Sequence, residues 1–144
     1  MQSNIEKRIP LQIVENRIIL TAVIESKKLR IPKQVMEFVI DTGSTDSYLS
    51  YRDVVLLHIP LKGKPVQDQV DFGGSRFNQV SLPEITLILL RNATSQNDYV
   101  ELNVALKALK TTKTSPKNLK IAASLPSILG MDFLYEQKYS LHVI

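Results

Sequence analysis

The chain contains no cysteine. A disulfide framework and a thiolate zinc site are therefore both excluded. Histidine is scarce too, with only His58 and His142. Neither stands in a His-x-x-x-His pair or beside clustered carboxylates, so no metal is expected and both are read as structural, His58 at a helix end and His142 in a terminal strand. No apolar run approaches the roughly 18–20 residues of a membrane helix. The first residues, "MQSNIEKRIP", lack the apolar segment of a signal peptide. These absences point to a cytoplasmic protein that does not engage a membrane. No repeat at solenoid spacing is present. The net charge of +4 is scattered over "SKKLR", "KGK" and "KALKTTKTSPKNLK". It forms no basic stripe with aromatics interleaved, which argues against nucleic-acid binding.

What is present is strand-like periodicity. Hydrophobic residues make up 44% of 144 residues and charged residues 22%, the balance of one globular domain over 1–144. "LQIV" and "RIILTAVIES" are β-rich runs joined at Glu15-Asn16, a hairpin signal. "KKLRIPK" is expected to be a polar, proline-bearing connection, "VMEFVI" a third strand and "SYLS" a fourth. Ser50 with Asp53 three residues on resembles a capping box and predicts a short helix over about Tyr51–Leu57. "VQDQVDFGGSRFNQV" reads as two arms around Gly73-Gly74. "LPEITLILL" and "DYVELNVALKAL" read as two further strands, "TTKTSPKN" as a solvated loop and "MDFLYEQ" as helix-compatible. "YSLHVI" is expected to close the chain as a strand. Many short strands with Gly and Pro turns favour a small β-barrel or sandwich.

Residues 38–50, "FVIDTGSTDSYLS", carry the chemistry. Phe38, Val39 and Ile40 load a strand that ends in Asp41, a residue poor in strands and costly to bury. Gly43 supplies freedom in φ for a sharp turn, and Thr42 and Ser44 bring hydroxyls beside the carboxylate. A bland alternative is a local Asx-turn. The letters "IDTGST" also suit the phosphate loop of actin-like ATPases, but such folds need two large α/β domains, which a short chain with hardly any helix cannot supply.

A second segment makes a different resemblance specific. "FVIDTGS" resembles the first signature of the aspartic proteases, and "SILGMDFL" at 127–134 resembles their second. The separation of about ninety residues suits a single retropepsin-like domain. Between them, "VDFGGSRF" lies where that family carries its flap, a Gly-rich hairpin that closes over substrate. The resemblance covers nearly the whole chain. It implies a mainly β fold, a small closed barrel of the retropepsin type with one or two short helices. It implies an aspartic endopeptidase without a cofactor. There are departures: retroviral members carry Ala, Asp and Arg where this chain has Ser44, Thr45 and Met131, and the stretch from Arg91 to Ser127 is longer. The chain looks more like cellular or prokaryotic members.

Hydrolysis by carboxylates needs two of them, and two held about 3 Å apart share one proton. The sequence has a single Asp-Thr-Gly. The second aspartate must then come from another chain of a C2 homodimer acting on a peptide or protein substrate. The resemblance assigns catalysis to Asp41, Thr42 and Gly43, with Thr42 bonding across the dimer. It places Ser44 and the flap residues Phe72, Gly73, Gly74 and Ser75, with Arg76 beside them, near substrate. Ile128, Leu129 and Gly130 are expected to pack beneath the Asp loop, and Asp46, Asp53 and Asp98 to be solvated or capping. The alternative is a dimerisation or peptide-binding module of the same fold with little hydrolysis.

Overall fold

The structure is a computed structural model that describes residues 8–91, 97–112 and 115–142. Its strands are β1 (Gln12–Val14), β2 (Arg17–Ser26), β3 (Ile31–Ile40), β4 (Tyr48–Leu49), β5 (Val66–Phe72), β6 (Ser75–Leu90), β7 (Tyr99–Thr111) and β8 (Ser127–Leu129). The helices are α1 (Tyr51–Leu56), α2 (Pro116–Ser124) and α3 (Met131–Glu136). The fold is mainly β, as the sequence predicts. The strands form one sheet in the order β1-β2-β3-β8-β4-β7-β6-β5, and β2 also pairs with β6. That extra pairing, Val23 to Ile88 and Glu25 to Thr86, closes β2, β3, β8, β4, β7 and β6 into a ring of hydrogen-bonded neighbours. β1 and β5 remain as outer strands on this ring.

Local chemistry explains the joints. Glu15 and Asn16 both have positive φ, 50° and 64°, which gives the two-residue primed turn that matches strand twist. β3 begins earlier than expected, at Ile31, so the "RIP" stretch is partly strand. Pro32 is tolerated because it falls inside a register shift between Ile24 and Ser26 of β2, where the ladder needs no N–H from it. β6 runs unbroken through Pro83, joining the "SRFNQV" arm to the "LPEITLILL" run, which the sequence reads as separate strands. A register shift between Leu82 and Ile85 absorbs the proline and flips the inward phase from Val80 and Leu82 to Ile85, Leu87 and Leu89.

Adjacent residues of a strand face opposite sides, and here each side has its own core. Phe38, Leu49, Leu82, Leu106 and Leu129 belong to the main cluster inside the ring. Tyr48, Phe77, Leu109, Ala122 and Ile128 form a second cluster outside it. Burying each large apolar side chain contributes about 1.5–3 kcal/mol, so even this smaller cluster can hold an appendage in place.

Helix α2 covers the second cluster, where the sequence suggests a solvated loop over "TTKTSPKN" and no helix. The signal was there: Ser115 caps the helix through Asn118 N–H, Pro116 occupies the first turn, and Leu119, Ala122 and Leu125 recur on one face. Among the described residues the expected closing strand is not formed. Residues 139–142 lie outside the sheet, and residues 143–144 lie outside the described residues. Instead Tyr139 N–H bonds the Leu134 carbonyl and its ring stacks on Phe133 at 6.3 Å. Local packing onto α3 therefore wins over strand extension, and His142, bonded to the Ser140 hydroxyl at 3.0 Å, is not in a strand. Among the described residues no helix is long and apolar enough to cross a membrane.

Candidate active site

β3 delivers Asp41. The strand pairs in parallel with β8, Ile40 opposite Leu129, and the Asp41 N–H continues that ladder to the Leu129 carbonyl at 3.0 Å. A tight turn follows, closed by Ser44 N–H on the Asp41 carbonyl at 3.2 Å. Gly43 N–H donates to Asp41 Oδ1 at 2.9 Å, which orients the carboxylate. Asp41 is half-buried, whereas Thr42 and Gly43 are exposed. The need for glycine differs from the one expected: Gly43 is not among the positive-φ residues. A Cβ there would stand 3.2 Å from Asp41 Oδ1, so the carboxylate would have to shift by a few tenths of an ångström to admit one. The Ser44 hydroxyl donates to the Asp46 carbonyl at 2.8 Å, so within one chain it braces the loop rather than the carboxylate.

The loop is fastened to the segment after β8. Met131 N–H bonds the Ser44 carbonyl at 2.8 Å, and Asp132 N–H bonds the Thr45 carbonyl at 3.1 Å. Asp132 returns two bonds to buried Ser47, accepting from its hydroxyl at 2.6 Å and its N–H at 3.2 Å. The Ser47 hydroxyl oxygen also accepts from Gly130 N–H at 2.9 Å. Gly130 sits against the loop backbone: an added Cβ would meet the Asp46 carbonyl oxygen at 2.5 Å and that of Ser44 at 2.6 Å. Ile128 and Leu129 lie beneath, both buried. Ser47 and Asp132 are the supporting residues that the sequence did not single out. A pointer to Asp132 existed, since it occupies the acidic position of "LGMDFL".

Two other aspartates are more engaged than expected. Asp46 accepts from Lys107 Nζ at 3.3 Å and from the Tyr48 hydroxyl at 3.4 Å. Burial first, and then the Asp46 charge, push the Tyr48 phenol up to about 12. Asp53 is buried at 8% exposure, not solvated. Its N–H caps onto Ser50 Oγ at 3.3 Å, while its carboxylate accepts from the Ser50 and Ser127 hydroxyls. The capping box is thus rerouted: Ser50 N–H goes to Ser127 Oγ at 2.9 Å instead of to the acidic side chain. Asp98 is half-exposed and pairs with Arg91 at 3.3 Å.

The second group of candidate residues forms the β5–β6 hairpin. Phe72 pairs with Ser75 across Gly73 and Gly74, whose φ values of 59° and 84° make the two-residue turn. Phe72 turns inward, its ring 5.9 Å from Tyr48 and 6.4 Å from Phe77. Ser75 is buried and donates to Asn118 Oδ1 on α2. Arg76 is exposed and pairs with Asp71 at 3.2 Å. The structure therefore makes two clusters, the turn of Asp41–Ser44 and the hairpin of Phe72–Ser75. Among the described residues no hydrogen bond joins them. They meet through the second core, where Tyr48 from the loop end touches Phe72. Among the described residues no three His, Asp or Glu side chains stand together as a metal site.

No family model matches this chain, and no curated protein matches it. Solved structures do. A retropepsin-like aspartic protease from Rickettsia conorii superposes with a TM-score of 0.54 over 90% of this chain and 85% of its own, at 15% identity. The EIAV protease complexed with the inhibitor HBY-793 superposes with a TM-score of 0.50 over 99% of this chain and 100% of its own, at 13% identity. At such identities the likeness speaks to fold alone, and the fold of this chain is retropepsin-like.

Proposed function

We propose that the chain, as one domain over residues 1–144, is an aspartic endopeptidase that works as a homodimer, each protomer contributing Asp41. The observation that carries this reading is the support given to one carboxylate. Asp41 ends a buried strand, is oriented by Gly43 N–H, and stands on a loop fastened to Leu129, Met131 and Asp132. A carboxylate prepared in this way, in a fold shared with two solved aspartic proteases, is suited to activating water.

One such group is half of the chemistry. With two Asp41 carboxyls across a two-fold axis, the ionised one takes a proton from the attacking water. The protonated one donates to the substrate carbonyl oxygen as the tetrahedral intermediate forms. Thr42 and Gly43 are exposed beside Asp41, where a partner's loop can reach them, and Thr42 is assigned to fixing the two loops together. Gly73 and Gly74 form the tip of a hairpin that closes over a peptide, with Ser44, Phe72 and Ser75 shaping its surroundings. The exposed Ile13 and Val14 of β1, together with residues 139–144, are candidates for the strands that bind the protomers.

The test is digestion of an unstructured protein by the parent chain and by Asp41→Asn, each followed by sedimentation. Cleavage by the parent alone, from a dimer, is expected. Equal cleavage by Asp41→Asn, or cleavage by a strict monomer, would end the proposal. A second reading, a dimerisation or peptide-binding module without hydrolysis, draws on Phe72 and Ser75 being turned into their own chain. A parent that dimerises and binds peptide but never cleaves would favour it.

A further inference from the structure

Strand β5 lies at the end of the sheet order and, among the described residues, pairs only with β6; Val66 to Gln69 and Asp71 are exposed. A hairpin with so exposed an arm should swing freely unless something fastens its far end. Something does. Gly73 at the turn lies directly against the Leu125 side chain, so closely that a Cβ at Gly73 would collide with its methyls. Ser75, one residue past the turn and only 7% exposed, donates its hydroxyl to Asn118 Oδ1. Thr112 Oγ1 donates to the Arg76 carbonyl at 3.1 Å. Asn118 and Leu125 belong to α2 and its exit, and Ala122 between them is completely buried in the second core beside Phe77. Thus α2 is seated firmly on the body and meets the hairpin at its tip.

We propose that α2 is a latch. Asn118 and Leu125 are positioning residues that hold the Gly73-Gly74 tip on the chain's own body, and substrate entry requires their release. The entry clause rests on the reading of this hairpin as a lid over Asp41; the latch itself does not. The fastening is asymmetric. Phe72 and Val70 anchor the hairpin through apolar packing, a contribution that survives small movements. On α2 the tip depends on one side-chain hydrogen bond, Ser75 to Asn118, and one close van der Waals contact, Gly73 with Leu125, which are lost together within about an ångström. So the tip is the part that gives first.

The test is hydrogen exchange on the full chain. A net hydrogen bond of ordinary strength predicts that Asn118→Ala speeds exchange across residues 66–80 about three- to tenfold, with β2 and the centre of β7 unchanged. Ser75→Ala should do the same. The double variant should add little to either, because both remove one interaction. Unchanged exchange at 66–80 in both single variants, with thermal midpoints retained, would overturn the latch. With a peptide substrate, apparent affinity scales with the released fraction, so Asn118→Ala should lower KM by the same factor and leave kcat alone. A raised KM would show instead that the docked tip is the productive one and would also overturn the proposal. Absence of any cleavage by the parent would sink the protease reading only, since the exchange result still decides the latch.

Discussion

Gly130→Ala is the sharpest probe of how the Asp41 loop is held. Gly130 has φ −97° and ψ −164°, a conformation that alanine adopts without strain. The backbone is therefore not the issue, and the whole effect is steric. The new methyl would face two carbonyl oxygens, at 2.5 Å from Asp46 and 2.6 Å from Ser44. Carbon-to-oxygen contacts normally begin near 3.3 Å. The loop must retreat by about 0.7 Å, or the helix after Gly130 must. Either movement strains Met131 N–H to Ser44 and Gly130 N–H to Ser47. Overpacking of this kind costs about 1–3 kcal/mol. With a urea dependence of roughly 2 kcal/mol per molar, the unfolding midpoint should fall by about 1 M. The activity loss should be larger than the stability loss implies, because a misplacement near 1 Å at a reacting group can cost about a hundredfold. Gly63→Ala is the control. Its site is open, and its φ of 81° brings backbone strain alone, so stability should fall while peptide cleavage by the folded protein stays level. A Gly130→Ala protein with the parent's midpoint and the parent's cleavage rate would show that the tight approach at Gly130 does not position the loop.

Two further outcomes follow from the same network. Asp132→Ala removes the acceptor for Ser47 N–H, the Ser47 hydroxyl and Phe133 N–H, and should cost about 2–3 kcal/mol, read as a melting point lowered by roughly 10 °C; Asp132→Asn should fall between, and a melting point within a degree or two of the parent would contradict the bracing role. Tyr48 carries a raised phenol, about 12 against the ordinary 10 of an unfolded chain, so its contribution is intact below pH 10 and is lost as pH rises from 10 toward 12. Tyr48→Phe should therefore lose less stability than the parent between pH 9.5 and 11.5 in urea titrations, with Tyr139, also raised by burial, supplying part of the slope that remains; parallel curves would refute the assignment.

Much of this was legible in the sequence because local rules dominated. The Glu15-Asn16 and Gly73-Gly74 turns are set by two residues each, and both hairpins form around them. Ser50 starts α1 as its hydroxyl dictates. Other features depended on partners distant in the chain. Asp53 reads as a surface cap until Ser127 arrives from the far side of the sheet to bury it. The "SRFNQV" arm and "LPEITLILL" read as separate strands until β7 shows that a shift of register carries one strand past Pro83. "YSLHVI" has strand composition, but Tyr139 finds a stacking partner in Phe133 within its own chain. The Asp41 loop was recognised from its letters, and "LGMDFL" points to Gly130 and Asp132, which help to fasten it, but the backbone bonds to Ser44 and Thr45 leave no trace in residue type.

The three residues of β8 show how few positions join these features. Ser127 bonds Ser50 and Asp53 and so seats α1. Ile128 points outward into the second core, where Phe72 and Phe77 root the hairpin. Leu129 points inward to the main core, and its carbonyl receives the Asp41 N–H. Alternation along a strand makes this division unavoidable: successive side chains must serve opposite faces. The loop bearing Asp41 and the hairpin bearing Gly73 therefore rest on neighbouring residues of one strand. A substitution that enlarges residue 128 would push on Phe72 and Tyr48 directly. It would reach Asp41 only by moving the backbone of Leu129, whose buried side chain resists displacement. The hairpin and the Asp41 loop therefore rest on opposite faces of one strand, so a shift of Phe72 reaches the carboxylate only through the backbone of Leu129.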